Sequence, residues 1–197
     1  MSLNVNDAKK PLTENVSPAL KPVKVKQQVI KQVGVDLIKL PESNRFNYVI
    51  VLIDYFSKWT EAEPLMNKAA VSVAAFLCRV ICRHGCFQIQ VNDQGREFVN
   101  SVSIVLHDMT GVQQRVTSAD HPQANGLLER QNQTIKKAIV KVLNENFKSW
   151  ASVLDEILFA LCVKVHDSMG YSPFYLMYNR QPYLPIDVKY TNVKYIN

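Results

Sequence analysis

Tyr48-Val49-Ile50-Val51-Leu52-Ile53-Asp54 is a continuous aliphatic, β-rich run closed by one carboxylate. Such a run is the signature of a strand buried on both faces. Before it, Val33, Val35 and Leu37 alternate with other residues, which predicts a strand with Asp36 on the opposite face. After it, Trp59–Leu65 is a third candidate strand. The links between the three are short, so an antiparallel meander is expected.

The period then becomes helical. Ala70, Val73, Ala74, Leu77, Val80 and Ile81 recur at three and four residues and form one apolar stripe, with Gly85 as a C-terminal glycine. Phe87–Asn92 reads as a fourth strand, followed by a turn at Gly95. Val102, Val105, Leu106 and Met109 predict a short amphipathic helix closed by Gly111, and Val112–Val116 a fifth strand. A long helix is expected from about Gly126 to Asn146, with Leu128, Ile135, Ile139 and Val142 on its apolar side. A last helix carries Trp150, Val153, Leu154, Ile157 and Leu161. The order βββαβαβαα implies an α/β domain, a mixed five-stranded sheet flanked by helices.

Composition sets outer limits. The chain has 197 residues, 47% of them hydrophobic and 20% charged, which suits one core-forming domain with some tail. Glycine (6) and proline (9) are too few for a collagen-like or low-complexity chain. No apolar run is long enough to span a bilayer and no N-terminal segment reads as a signal peptide, so no membrane partner is expected. Four cysteines are too few for a disulfide scaffold, and a reducing intracellular compartment is expected. The net charge of +6 is uneven. Residues 1–31 hold six lysines against Asp7 and Glu14, so the remainder carries only +2. These residues, with Pro11, Pro18 and Pro22, read as a basic extended arm, a solvated linker being favoured over a nucleic-acid arm.

Three carboxylates have unusual settings. Asp36 sits inside an apolar strand, Asp93 at the end of strand four beside a glycine turn, and Glu129 in the first turns of the long helix. An acid within a strand run is costly unless it meets a partner, and a bound cation is one such partner. Oxygen ligands suit Mg²⁺ or Mn²⁺. The bland alternative is capping and surface charge; an Asp before Gln-Gly can simply hold a turn. Asp54 is expected to cap a turn, and Arg96 and Glu97 to be structural or surface-placed. Cys78, Cys82, His84 and Cys86 have ligand-like spacing, but core or near-core packing is favoured over zinc, so no structural zinc is expected.

Two segments carry a resemblance. They are Val91-Asn92-Asp93-Gln94-Gly95-Arg96-Glu97-Phe98 and His121-Pro122-Gln123-Ala124-Asn125-Gly126-Leu127-Leu128-Glu129-Arg130. They resemble the catalytic core of retroviral and gypsy-type retrotransposon integrases. Asp93 and Glu129 have 35 residues between them, the D,D(35)E spacing. Gly34-Val35-Asp36-Leu37-Ile38, Asp54-Tyr55-Phe56-Ser57-Lys58-Trp59, Gly170-Tyr171-Ser172-Pro173-Phe174 and Leu176-Met177-Tyr178 extend the match to about residues 20–185. Several linked motifs in order are a specific signal where one alone is weak.

The resemblance implies an RNase H-like fold, with residues 1–31 as the arm, 32–187 as an integrase-like catalytic core and 188–197 as a C-terminal tail. It implies Asp36, Asp93 and Glu129 as catalytic and metal-binding residues holding two Mg²⁺ or Mn²⁺ ions. It implies DNA contacts from His121, Asn125, Arg130, Gln133, Lys136 and Lys137, with a capping role for Asn125 and a solvated helix face as the plain alternatives. A homodimer, pairing through helix surfaces such as Trp150–Leu161, and a nuclear location complete the expectation. The chain departs from the family at Lys39-Leu40-Pro41, Asn92, Asp120, Val163-Lys164 and Asn179. No segment resembles the family's zinc or C-terminal DNA-binding domains, which leaves an excised core or a remnant adopted by a host. The leading function is metal-dependent phosphodiester cleavage and strand transfer on DNA. The alternative is a catalytically retired module that binds nucleic acid or protein.

Overall fold

A computed structural model describes residues 28–117, 122–146 and 149–187. The arm before residue 28, Asp120, His121 and the tail 188–197 lie outside the described residues, as do the side chains of Asn125 and Val142.

The strands are β1 (Gln32–Ser43), β2 (Phe46–Asp54), β3 (Thr60–Leu65), β4 (Ile89–Asn92) and β5 (Gln113–Val116). The helices are α1 (Ala70–His84), α2 (Ser101–Thr110), α3 (Pro122–Asn146), α4 (Trp150–Val163) and α5 (Pro173–Tyr178). The sheet runs β3-β2-β1-β4-β5. The first three strands are the expected antiparallel meander, whereas β4 joins β1, and β5 joins β4, in parallel. β1 and β2 are joined through Asn44 and Arg45, both at positive φ (51° and 70°). Two such residues match the right-handed twist of paired strands.

β2 is buried on both faces, as its composition requires. Ile50 and Leu52 pack with Val33, Val35 and the α1 stripe (Val73, Phe76, Leu77, Val80). Val49 and Val51 face the other way, against Ile38, Ile135 and Ile139 of α3 and Trp150, Val153, Leu154 and Ile157 of α4. The sheet thus lies between α1 on one side and α3 with α4 on the other. Among the described residues no helix is long and apolar enough to cross a membrane.

Four expectations are corrected. First, α2 is rolled relative to its apolar stripe. Ser103 and His107 are buried, while Ile104, Val105 and Met109 are exposed. A polar network beneath the helix, described below, needs the imidazole inside. Second, Cys78, Cys82 and Cys86 are exposed and only Cys162 is buried; the core face of α1 is already filled by Val73, Phe76, Leu77 and Val80. Third, α4 turns its apolar residues inward, leaving Phe159 as its large exposed hydrophobic residue. Fourth, α3 starts at Pro122, so Asn125 stands inside its first turn rather than capping it.

The fold adds α5, which the sequence pattern does not predict. Ser172 caps α5 by accepting the Tyr175 N–H at 3.1 Å, and Pro173 follows in the first turn. Phe174 and Tyr178 lie 6.4 Å and 5.4 Å from Trp59, fastening α5 to the start of β3.

Candidate active site

β1 and β4 are the adjacent parallel strands at the middle of the sheet, in register at Gly34 and Val91. Two residues further on stand Asp36, within β1, and Asp93, just past the end of β4. Ligands in open α/β sheets bind beyond the carboxyl ends of such strands, where the strand order reverses.

Asp36 is half-buried. One carboxylate oxygen accepts the Leu37 N–H at 2.7 Å, the other the Asn132 side-chain amide at 2.6 Å. Burial pushes this carboxyl above its ordinary range, and the charge of Asp93 pushes it further. The Leu37 and Asn132 hydrogen bonds and the Lys136 ammonium pull the other way without restoring it. The structure therefore brings Asp36, Asp93 and Lys136 into one electrostatic neighbourhood.

Asp93 is exposed and does hold a turn. Its Oδ1 accepts the Gly95 N–H at 2.9 Å. A Cβ at Gly95 would lie 2.9 Å from that same oxygen and from the Glu97 carboxyl carbon, so a larger residue would push those side-chain ends aside. A buried amide network fixes the strand end below it. Gln90 and Gln114 each donate to Asn92 Oδ1 at 3.0 Å, and Asn92 donates to the Asp93 carbonyl at 2.8 Å. His107 Nε2 meets Gln90 Oε1 at 3.2 Å. This is what α2 buries instead of Val105 and Met109.

The placement of α3 follows from Gly34. A Cβ there would stand 2.8 Å from Leu128 and 2.9 Å from Tyr55, so the helix rests directly on the strand backbone. Leu128 over Gly34, Asn132 over Asp36 and Ile135 beside Ile38 form one line of contact between α3 and β1. Glu129 comes next to Leu128 and is exposed. Gln133, Lys136 and Lys137 are exposed on the same flank. Arg130 is exposed too, its Nε donating to the Gly126 carbonyl at 3.0 Å.

The three acids do not meet. Among the described residues no three acidic, histidine or cysteine side chains approach closely enough to hold an ion. Asp36 and Asp93 are neighbours, while Glu129 stands on the helix flank beside them. Like charges in one site repel unless a cation compensates them. The donor set nonetheless fits a hard divalent ion. It is all oxygen, it includes a carboxylate whose ionised form the protein disfavours, and Asn132 Oδ1 is buried with no hydrogen-bond partner beside it.

Asn132 is a site residue that the sequence pattern alone does not mark. Its signal was a polar side chain within the Leu128, Ile135, Ile139 stripe. Asp54 holds the turn expected of it, its Oδ2 accepting the Ser57 N–H at 2.8 Å and hydroxyl at 2.6 Å.

No family model matches the chain. Over 139 residues, 70% of its length, it is 32% identical to the Gag-Pol polyprotein of feline leukemia virus, and it spans 8% of that polyprotein. In structure it is similar to the simian T-cell lymphotropic virus intasome solved in complex with PP2A regulatory subunit B56 gamma. The TM-score is 0.74 at 16% identity, over 86% of this chain and 62% of that one. It is also similar to the HTLV-2 integrase catalytic core domain solved in complex with magnesium in a trimeric form, with a TM-score of 0.65 at 15% identity, over 78% of this chain and 98% of that one. The five-stranded mixed sheet with flanking helices is the RNase H-like fold of those cores. In sequence the chain is thus kin to retroviral Gag-Pol polyproteins, and in structure it has the fold of retroviral integrase catalytic cores.

Proposed function

We propose that this chain binds DNA and carries out divalent-metal-dependent phosphodiester cleavage and strand transfer at Asp36, Asp93 and Glu129. The observation that supports this most is the Asp36–Asp93 pair on adjacent parallel strands, with Asp36 kept short of easy ionisation by burial and by its neighbour's charge. Asp36, Asp93 and Glu129 would hold Mg²⁺ or Mn²⁺, the ion named with the HTLV-2 core being magnesium. Bound there, such ions would activate the attacking oxygen and neutralise charge on the leaving one.

The chain's own residues do the positioning. Asn132 orients the Asp36 carboxylate from behind. The Gly95 turn and the Asn92 network hold the backbone on either side of Asp93. Gln133, Lys136 and Lys137 line the flank of α3 beside the acids, where a phosphate backbone would lie. Phosphoryl transfer needs such positioning and charge neutralisation rather than a covalent protein nucleophile. We also read the chain as self-associating, which light scattering at high concentration decides: a single monomeric mass removes that part.

The test is calorimetric titration of Mg²⁺ and Mn²⁺ into the chain, then a nicking and disintegration assay on branched DNA. Wild type is expected to bind metal in the millimolar range and cut; Asp93→Asn is expected to do neither. Absence of metal uptake sinks the enzymatic reading. The second reading, a module that contacts DNA without chemistry, draws on Asp93 already being engaged by the Gly95 N–H. It predicts salt-dependent DNA association with no cleavage, unchanged by Asp93→Asn.

A further inference from the structure

A second site lies on the other flank of α3. A cleft of about 200 Å³ opens where α3 meets the end of α4 and the segment that follows it. Lys58, Lys164 and His166 line it against one carboxylate, Asp167, while Gln131 and Thr134 of α3 form a wall. Leu161 and Pro173 supply its apolar part. On a helical wheel Gln131 and Thr134 fall on the side of the buried Leu128–Asn132–Ile135–Ile139 stripe opposite Glu129 and Lys136. The cleft and the carboxylates are thus separated by the body of one helix.

Lys58 is the telling residue. It sits in the turn after β2 with φ at 65°, in the left-handed region that side chains other than Gly and Asn rarely adopt. Its ammonium donates to the Tyr55 carbonyl at 2.6 Å. Burial lowers its pKa and the nearby Arg130 charge lowers it further, with Asp54 opposing. A strained, half-buried cation therefore stands beside a second cation at the mouth of a cleft holding a third. Backbone strain persists where the surrounding structure enforces it, and such positions cluster at functional sites. The outward ridge of α3 continues the same charge, since Arg130, Lys137 and Lys141 are all exposed and fall within one narrow sector of the helix.

We propose that this cleft binds a phosphate group, presented as a phosphodiester by a DNA strand that crosses the Arg130–Lys137–Lys141 ridge to the side of α3 away from the carboxylates. The inference rests on the DNA-binding reading and adds to it a contact on a different face. Lys58 and Lys164 supply charge, and Gln131 offers the amide N–H not given to Thr60 Oγ1. Asp167 is the one carboxylate of the lining and opposes that charge.

The experiment uses the full chain with Lys58→Asn and Lys164→Gln. Asparagine accepts the left-handed backbone, and Lys164 is exposed just past α4, so both variants keep the fold. Arg79→Gln, on α1 across the sheet, is the control, and Lys136→Gln reports the contact beside the carboxylates. Duplex affinity is measured against salt concentration. Each cleft variant is expected to flatten the log–log slope by about 0.9 and to weaken binding about eightfold at ~0.1 M salt, as loss of one phosphate contact does. Arg79→Gln leaves the slope unchanged.

If the duplex binds, Lys136→Gln flattens the slope and the cleft variants do not, the proposal is overturned while the DNA-binding reading stands. If wild type does not bind duplex at all, that reading fails, and inorganic phosphate decides the cleft. Millimolar phosphate shifting the Thr134, Val165 and His166 amide resonances in wild type, but not in the variants, supports a phosphate site filled from free phosphate. No shift overturns it.

Discussion

Asp36 is maintained at a cost to the metal-free protein. Its ionised form is disfavoured by burial and by Asp93, and its amide partner Asn132 is left with a buried carbonyl oxygen that bonds to nothing. Asp36→Asn removes the charge. Its new amide can then donate to Asn132 Oδ1 once the Asn132 side chain turns over, which replaces the present hydrogen bond and leaves relief of the half-buried charge as the gain. The variant is expected to gain about 1 kcal/mol, a rise of roughly 2–4 °C in Tm for a domain of this size. It is also expected to lose metal uptake and cleavage completely. Thermal unfolding with and without Mg²⁺ checks both halves, and a variant less stable than wild type without metal would count against the strain assigned to Asp36. This exchange of stability for activity is common where a site gathers like charges. The same residue was the legible part of the site. A lone acid within Val33–Ile38 conflicts with its surroundings, and the 35-residue gap between Asp93 and Glu129 tied two more acids to it. Asn132 was less visible, because one asparagine on a long polar helix shows its role only when its partner across 96 positions is known.

At the scale of elements, the site is a docking problem between α3 and β1. The contact is set by Gly34, where helix and strand meet without a side chain between them. Gly34→Ala would force a Cβ into Leu128 and Tyr55 at 2.8–2.9 Å and lift α3 from the strand. Overpacking of this kind costs about 1–3 kcal/mol. The same displacement carries Asn132 and Glu129 away from Asp36, and misplacement by about 1 Å can cost ~100-fold in rate. Denaturation and the nicking assay should therefore show a mild stability loss beside a severe activity loss. A variant that loses both in proportion would place Gly34 in packing alone. Strand and helix identities were readable because β2, α1 and α4 repeat one pattern over most of their length. The face of α2 was not. Its Val102, Val105, Leu106 and Met109 stripe competes with a polar set, Ser103 and His107, whose partners Gln90 and Asn92 come from β4. Tertiary hydrogen bonding decided which face went in. α5 escaped for a different reason: its six residues are too few to show a period, and its Ser172-Pro173 start is a short signal.

For the whole molecule, three titrating groups pull stability in different directions with pH. The Asp36 carboxyl titrates above its ordinary 3.8 in the fold, so the folded state takes up a proton more readily than the unfolded chain, and stability rises as pH falls through that raised value. Burial disfavours the charged form of His107 and lowers its pKa below 6.5, so stability falls as pH drops through that region. Burial alone would push Glu61 up, but hydrogen bonds from His84 and Trp59 and the Arg83 charge overcome it and hold the carboxyl below 4.5. This clamp of β3 onto α1 is present at neutral pH and is lost as pH falls through the lowered value. The wild-type curve is a sum, so the informative quantity is the difference between wild type and Asp36→Asn. Without metal, the wild type's deficit should shrink as pH falls through the raised value towards 3.8, because folded Asp36 then takes up a proton and becomes neutral like its amide mimic. With saturating Mg²⁺ the trend should reverse. A cation held by Asp36 and Asp93 stabilises their ionised forms, so wild type should gain most at neutral pH and lose that gain on acidification. Tm measured across this range for both proteins, with and without Mg²⁺, tests the arrangement as a unit. Parallel curves for the two proteins without metal would show that Asp36 is not strained, and parallel curves with metal would show that it is not a ligand.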